Sequence, residues 1–145
     1  MGIEHLASTR PTQVTGTLST PLHHAFIREM HMQQPVTGYI RLVEMLAAAE
    51  KPRYEAVKVP VLIIGGREDR SVTEADGREM LAALRSVGGG GGGGGGSSDS
   101  KKRLEMVEGV AHWLCIEAYE EVGGMVARFC EELDDGVQGG GGGGP

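Results

Sequence analysis

Between Pro60 and two glycines the chain reads Val61-Leu62-Ile63-Ile64, apolar at every position. A strand with one wet face alternates between apolar and polar residues. A strand that does not alternate needs cover on both faces, the situation of a parallel sheet layered between helices. The next six residues tighten the constraint. Gly65 and Gly66 permit a tight exit, and Arg67-Glu68-Asp69-Arg70 then places charge at the C-terminal tip, the rim on which open α/β sheets carry their functional side chains.

The rest of the pattern is consistent with that class. Residues 1–20 are polar, rich in Ser and Thr, and interrupted by Pro11 and Gly16, which predicts loop. Pro21 opens a helical pattern with Leu22, Ala25, Phe26 and Met30 near one face, and Pro35 opens another with Tyr39, Val43, Leu46 and Ala47. The brief polar turn between them predicts an αα-hairpin. Pro52 and Pro60 bracket a connector. Ser71-Val72-Thr73-Glu74 has capping-box spacing and predicts a helix from about there to Leu84. Residues 103–107 read as a second strand, 109–115 as a loop, and 118–133 as a final helix with Val122, Met125, Val126, Phe129 and Leu133 on one face. The order helix, helix, strand, helix, strand, helix predicts right-handed crossovers and a parallel sheet, an α/β fold.

Composition bounds how much of this can be core. Glycine is continuous from Gly88 to Gly96 and again from Gly139 to Gly144. Such runs have no side chains to bury, so 88–100 reads as a Gly/Ser-rich insert and 136–145 as a disordered tail. About 120 of the 145 residues remain for one small domain. The net charge of −6 argues against a broad nucleic-acid or anionic-membrane surface, and no apolar stretch approaches membrane-spanning length. Residues 1–11 lack the apolar centre of a signal peptide. Cys115 and Cys130 stand apart with no CxxC, and the expected setting is reducing and cytoplasmic. The glycine run before Ser97-Ser98 lacks the lysine of a phosphate-binding loop and reads as linker. Of His23, His24 and His31, His24 and His31 fall seven apart on one helix face, but two exposed histidines without a third ligand do not make a metal site, so none is expected.

Two residues are placed for chemistry. Asp69 lies beyond the first strand and His112 beyond the second, on a loop made compact by Gly109 and Ala111. Consecutive parallel strands bring such tips together. A carboxylate there accepts the imidazole N–H, fixes its tautomer and stabilises imidazolium when the ring takes a proton. Each residue also has a plain structural reading, Asp69 as a turn or cap residue and His112 as a loop residue. Trp113 is a candidate to line a substrate pocket or to pack against the loop. Cys115 is expected to pack rather than attack.

"VPVLIIGGREDRSV" followed by "LEMVEGVAHWLCIEAYEEV" resembles the C-terminal part of α/β-hydrolase fold enzymes. Gly66-Arg-Glu-Asp69 is similar to the turn that supplies the triad acid in that family. Gly109-Val-Ala-His112, followed by Trp113 and Glu117, is similar to its histidine loop. The resemblance covers roughly residues 34–133, and within the family it is nearest the branch around 3-oxoadipate enol-lactonase and related esterases. It implies that 1–51 hold a loop and a remnant of the helical cap, and that 52–135 are the C-terminal core. It also implies hydrolysis of an ester, lactone or similar acyl substrate by a Ser-His-Asp triad, without metal or organic cofactor.

The sequence departs from that family at the nucleophile. No G-x-S-x-G elbow is present: Gly16-Thr-Leu-Ser19 and Gly66–Ser71 have the wrong spacing, and Ser97 and Ser98 lie in the glycine tract. The oxyanion-hole loop that precedes the elbow is missing too. The expectation is therefore a chain with acid and base whose serine comes from sequence not present here, and which has negligible esterase turnover alone. The alternative is a non-catalytic truncated hydrolase that acts, if at all, by protein–protein association, with self-association through an unpaired sheet edge. A helical interaction module at 21–49 is a third reading.

Overall fold

A computed structural model describes residues 2–85 and 101–138, and among these the protein is α/β, with six α-helices and one two-stranded sheet. The Gly/Ser insert at 88–100 and the tail from 139 onward lie outside the described residues. The helices are α1 (Ile3–Val14), α2 (Pro21–Met32), α3 (Val36–Ala48), α4 (Glu74–Arg85), α5 (Leu114–Glu117) and α6 (Tyr119–Gln138). The strands are β1 (Val61–Gly66) and β2 (Lys102–Val107), and a single 3₁₀ turn, Tyr54–Ala56, interrupts the connector before β1.

β1 and β2 pair in parallel, in register from Val61 with Lys102 to Gly66 with Val107. Alternation along the strands sends Leu62 and Ile64 of β1, with Val107 of β2, to one face. There they join Val110, Val122 and Met125 beneath α6 in the main apolar cluster. Leu104 points to the other face, where it lies directly under Gly77 of α4. The unalternating run of β1 thus has a helix on each side. Lys102 is buried at the start of β2, and its ammonium donates to the carbonyls of Val57 and Leu84 (3.1 and 2.7 Å), tying the connector and the end of α4 to the sheet.

Several local expectations are corrected. Residues 3–14 are helix, not loop. Ala7, Pro11 and Val14 recur at helical spacing and are its buried positions, and α1 packs against α2, whose Ile27 is fully buried. The expected hairpin of α2 with α3 is therefore replaced by a pair of α1 with α2. In α3 no residue is buried. The capping box of α4 is two residues later than expected: the Thr73 hydroxyl and backbone amide both donate to Asp76, and the Asp76 amide returns to Thr73 Oγ1. The final helix runs on to Gln138, past the start of the expected tail at 136, because no proline or glycine run stops it earlier.

Candidate functional site

The rim at the C-terminal ends of β1 and β2 is held by a short set of main-chain bonds. Beyond the strands, Arg67 donates its amide to Val107 O (2.9 Å) and Glu68 to Val110 O (2.9 Å), so the two exit loops run side by side. Gly66 is required for that approach: a Cβ there would overlap the carbonyl oxygens of Val110 and Ala111. Gly109 turns the second loop in the left-handed region at φ 69°, where a side chain is disfavoured.

This geometry brings Asp69 and His112 together. Asp69 Oδ2 lies 2.9 Å from His112 Nδ1. Asp69 Oδ1 accepts from the amides of Ser71 (2.7 Å) and Val72 (3.1 Å), the bonds of an Asx turn. The turn reading and the acid–base reading thus describe the same carboxylate. The Asp69 side chain is 7% exposed and that of His112 is 46% exposed, so the acid is sheltered while the imidazole faces solvent. Burial, the largest single influence, pushes the Asp69 pKa up. The His112 hydrogen bond, the two backbone amides and the His112 charge outweigh it and hold the carboxyl below its ordinary range. An ionised carboxylate only accepts, so Nδ1 carries the proton and the neutral ring keeps Nε2 as its basic nitrogen.

No serine, threonine or cysteine among the described residues hydrogen-bonds to His112. Cys115 is exposed rather than packed. Trp113, half-buried, stands edge-on to His31 with ring centroids 6.3 Å apart, a packing contact. Among the described residues no group of three or more His, Cys, Asp or Glu is arranged to hold a metal. His23 closes the N-terminal cap of α2 on Thr20, and His24 Nε2 bonds Thr15 and Ser19. His31 is buried, not exposed, with Nδ1 on Ile27 O at 2.8 Å.

A polar cleft of about 370 Å³ lies beside the acid, lined by Thr12, Gln13 and Thr15 at the end of α1 and by residues 67–70 after β1. A second cleft of about 370 Å³, between α2 on one side and α5 with the start of α6 on the other, is apolar and lined by Leu22, Phe26, Ile116 and Tyr119 among others. Sequence reasoning named Glu117 only as the acidic residue after the histidine loop and gave it no role, yet it binds the rim together. Glu117 is 7% exposed, and its carboxylate accepts from the amides of Gly16 (2.5 Å), Ala111 (3.3 Å) and Trp113 (3.2 Å). The signal was its place as the acidic residue after the histidine loop, and nothing local pointed to its partners. Among the described residues no helix is long and apolar enough to cross a membrane. No protein-family model, curated protein or solved structure matches the chain.

Proposed function

We propose that the chain carries the acid and base of a serine hydrolase of the α/β-hydrolase type, acting on an ester, lactone or related acyl compound. One observation carries this reading: a sheltered carboxylate and a solvent-facing imidazole, 2.9 Å apart, at the C-terminal tips of adjacent parallel strands. In this scheme a serine from sequence outside these residues attacks the acyl carbon. His112 Nε2 takes the hydroxyl proton and returns it to the leaving group, and Asp69 holds Nδ1 and balances the imidazolium charge. Water then cleaves the acyl-enzyme with His112 as base again, and no cofactor enters.

The test is the coding sequence upstream of Met1. If a G-x-S-x-G lies there in frame, the extended protein should label at that serine with a fluorophosphonate. His112→Ala and Asp69→Asn should slow the labelling. The 145-residue chain should neither label nor turn over a chromogenic short-chain ester. An upstream sequence without the elbow, or labelling indifferent to His112, would sink the proposal.

A second reading, association without catalysis, is favoured by α3. Its apolar Val36, Ile40, Val43 and Leu46 are all exposed, Leu46 at 62%, and each strand pairs on only one side among the described residues.

A further inference from the structure

The segment between α1 and α2 is strapped across both loops of the Asp69–His112 pair. Thr17 donates its amide and hydroxyl to Glu68 (2.9 and 2.7 Å), the neighbour of Asp69. Leu18 donates to Gly109 O (2.9 Å), and the His112 amide donates to Val14 O (3.0 Å). Glu117 joins the strap to the base. Its Oε1 accepts from Ala111 and Trp113, the residues on either side of His112, and its Oε2 accepts from Gly16. Burying a carboxylate is costly unless its oxygens are satisfied, and here they are satisfied by amides from two segments far apart in the chain. Gly16 has no alternative in this seat, since a Cβ would overlap the Gly109 carbonyl.

We propose that Glu117 is the positioning residue of the pair: it grips the His112 loop by the amides flanking the histidine and, through Gly16, makes the orientation of the imidazole depend on docking of the strap at 14–18. Glu117 does not touch the reacting atoms. It acts through the backbone of residue 112, so the helical pair α1–α2 and the base are one coupled unit. The consequence for catalysis rests on the hydrolase reading, but the positioning itself does not.

Donor and acceptor arithmetic chooses the variants. In Glu117→Gln the side-chain oxygen can keep Ala111 and Trp113, but the amide nitrogen then confronts the N–H of Gly16, donor against donor. Gly16→Ala pushes the strap away while leaving Glu117 and His112 chemically intact. The readout is the long-range proton–nitrogen correlation spectrum of the ¹⁵N-labelled full chain, which reports which ring nitrogen of His112 holds the proton. The wild-type ring should show distinct shifts, protonated at Nδ1 and bare at Nε2. In both variants the two nitrogen shifts should converge and the Nδ1 proton resonance should be lost, while the amides of β1 and β2 stay dispersed.

An unchanged ring in either folded variant, or a wild-type ring already averaged, would overturn the proposal. So would collapse of strand dispersion in both variants, which would make Glu117 a general structural residue. Failure of the hydrolase reading would look different: the ring would respond as expected while no serine upstream took a fluorophosphonate.

Discussion

At the scale of single residues, Asp69 serves two structures with one carboxylate, a turn through Oδ1 and an imidazole through Oδ2. Its folded-state pKa lies below its unfolded value, so the stability it contributes is present above the ordinary carboxylate pKa of about 3.9. That contribution is lost as pH falls through the lower folded value. Urea midpoints measured across the acid range should therefore drop for the wild type in that window, and Asp69→Asn should flatten that part of the curve. If the proposed hydrolase reading holds and an upstream serine elbow completes the site, the same substitution should lower kcat by roughly 10⁴-fold, because an amide in place of the carboxylate selects the wrong tautomer. Glu117→Leu has a different signature. It leaves three amides without their acceptor, at least one of them buried, and should cost about 2–3 kcal/mol in denaturant unfolding. A loss under about 0.5 kcal/mol would mean water replaces the carboxylate freely.

Among elements, α1 and α2 form the support for the rim. Ile27 is fully buried in the pair, so Ile27→Ala should cost about 2–4 kcal/mol. Because Val14 at the end of α1 accepts the His112 amide, exchange of that amide should accelerate with it, while amides inside α6 should not. How far each element could be read from sequence depends on what forms it. β1 was legible because four consecutive apolar residues between a proline and two glycines suit a strand covered on both faces. α1 was not, because Pro11 and the Ser and Thr residues argue against helix. Its evidence lies in Ala7, Pro11 and Val14 fitting against α2, a tertiary fact. The cap of α4 was misplaced by two residues because Asp69 takes the Ser71 amide that a box at Ser71 would have used. Asp69 and His112 were legible as strand-end residues. Glu117 was legible as the acidic residue after the histidine loop, but its role was not, since its partner Gly16 is 101 positions away and no local pattern connects them.

For the whole molecule, the layered plan is present but narrow. Among the described residues the two parallel strands expose an outer edge each, and every residue of β1 before Gly66 is only partly buried. Sheets this small depend on packing against helices for stability, and here α4 and α6 supply that packing while α3 buries no residue. The apolar residues Val36, Ile40, Val43 and Leu46 of α3 are exposed as well. Apolar surface left in water favours association, so sedimentation velocity should show a mass that rises with protein concentration. The double substitution Val43→Glu with Leu46→Glu places charge on the C-terminal half of the apolar face of α3 at two positions exposed in the monomer. It should shift the chain toward monomer and leave the stability of the monomer within about 0.5 kcal/mol of wild type. If association persists unchanged in the double variant, the strand edges carry it instead, since backbone pairing at an edge is indifferent to side chains on α3. A wild-type chain that stays monomeric at every concentration would remove association as a reading and leave the proposed acid–base role of Asp69 and His112 standing.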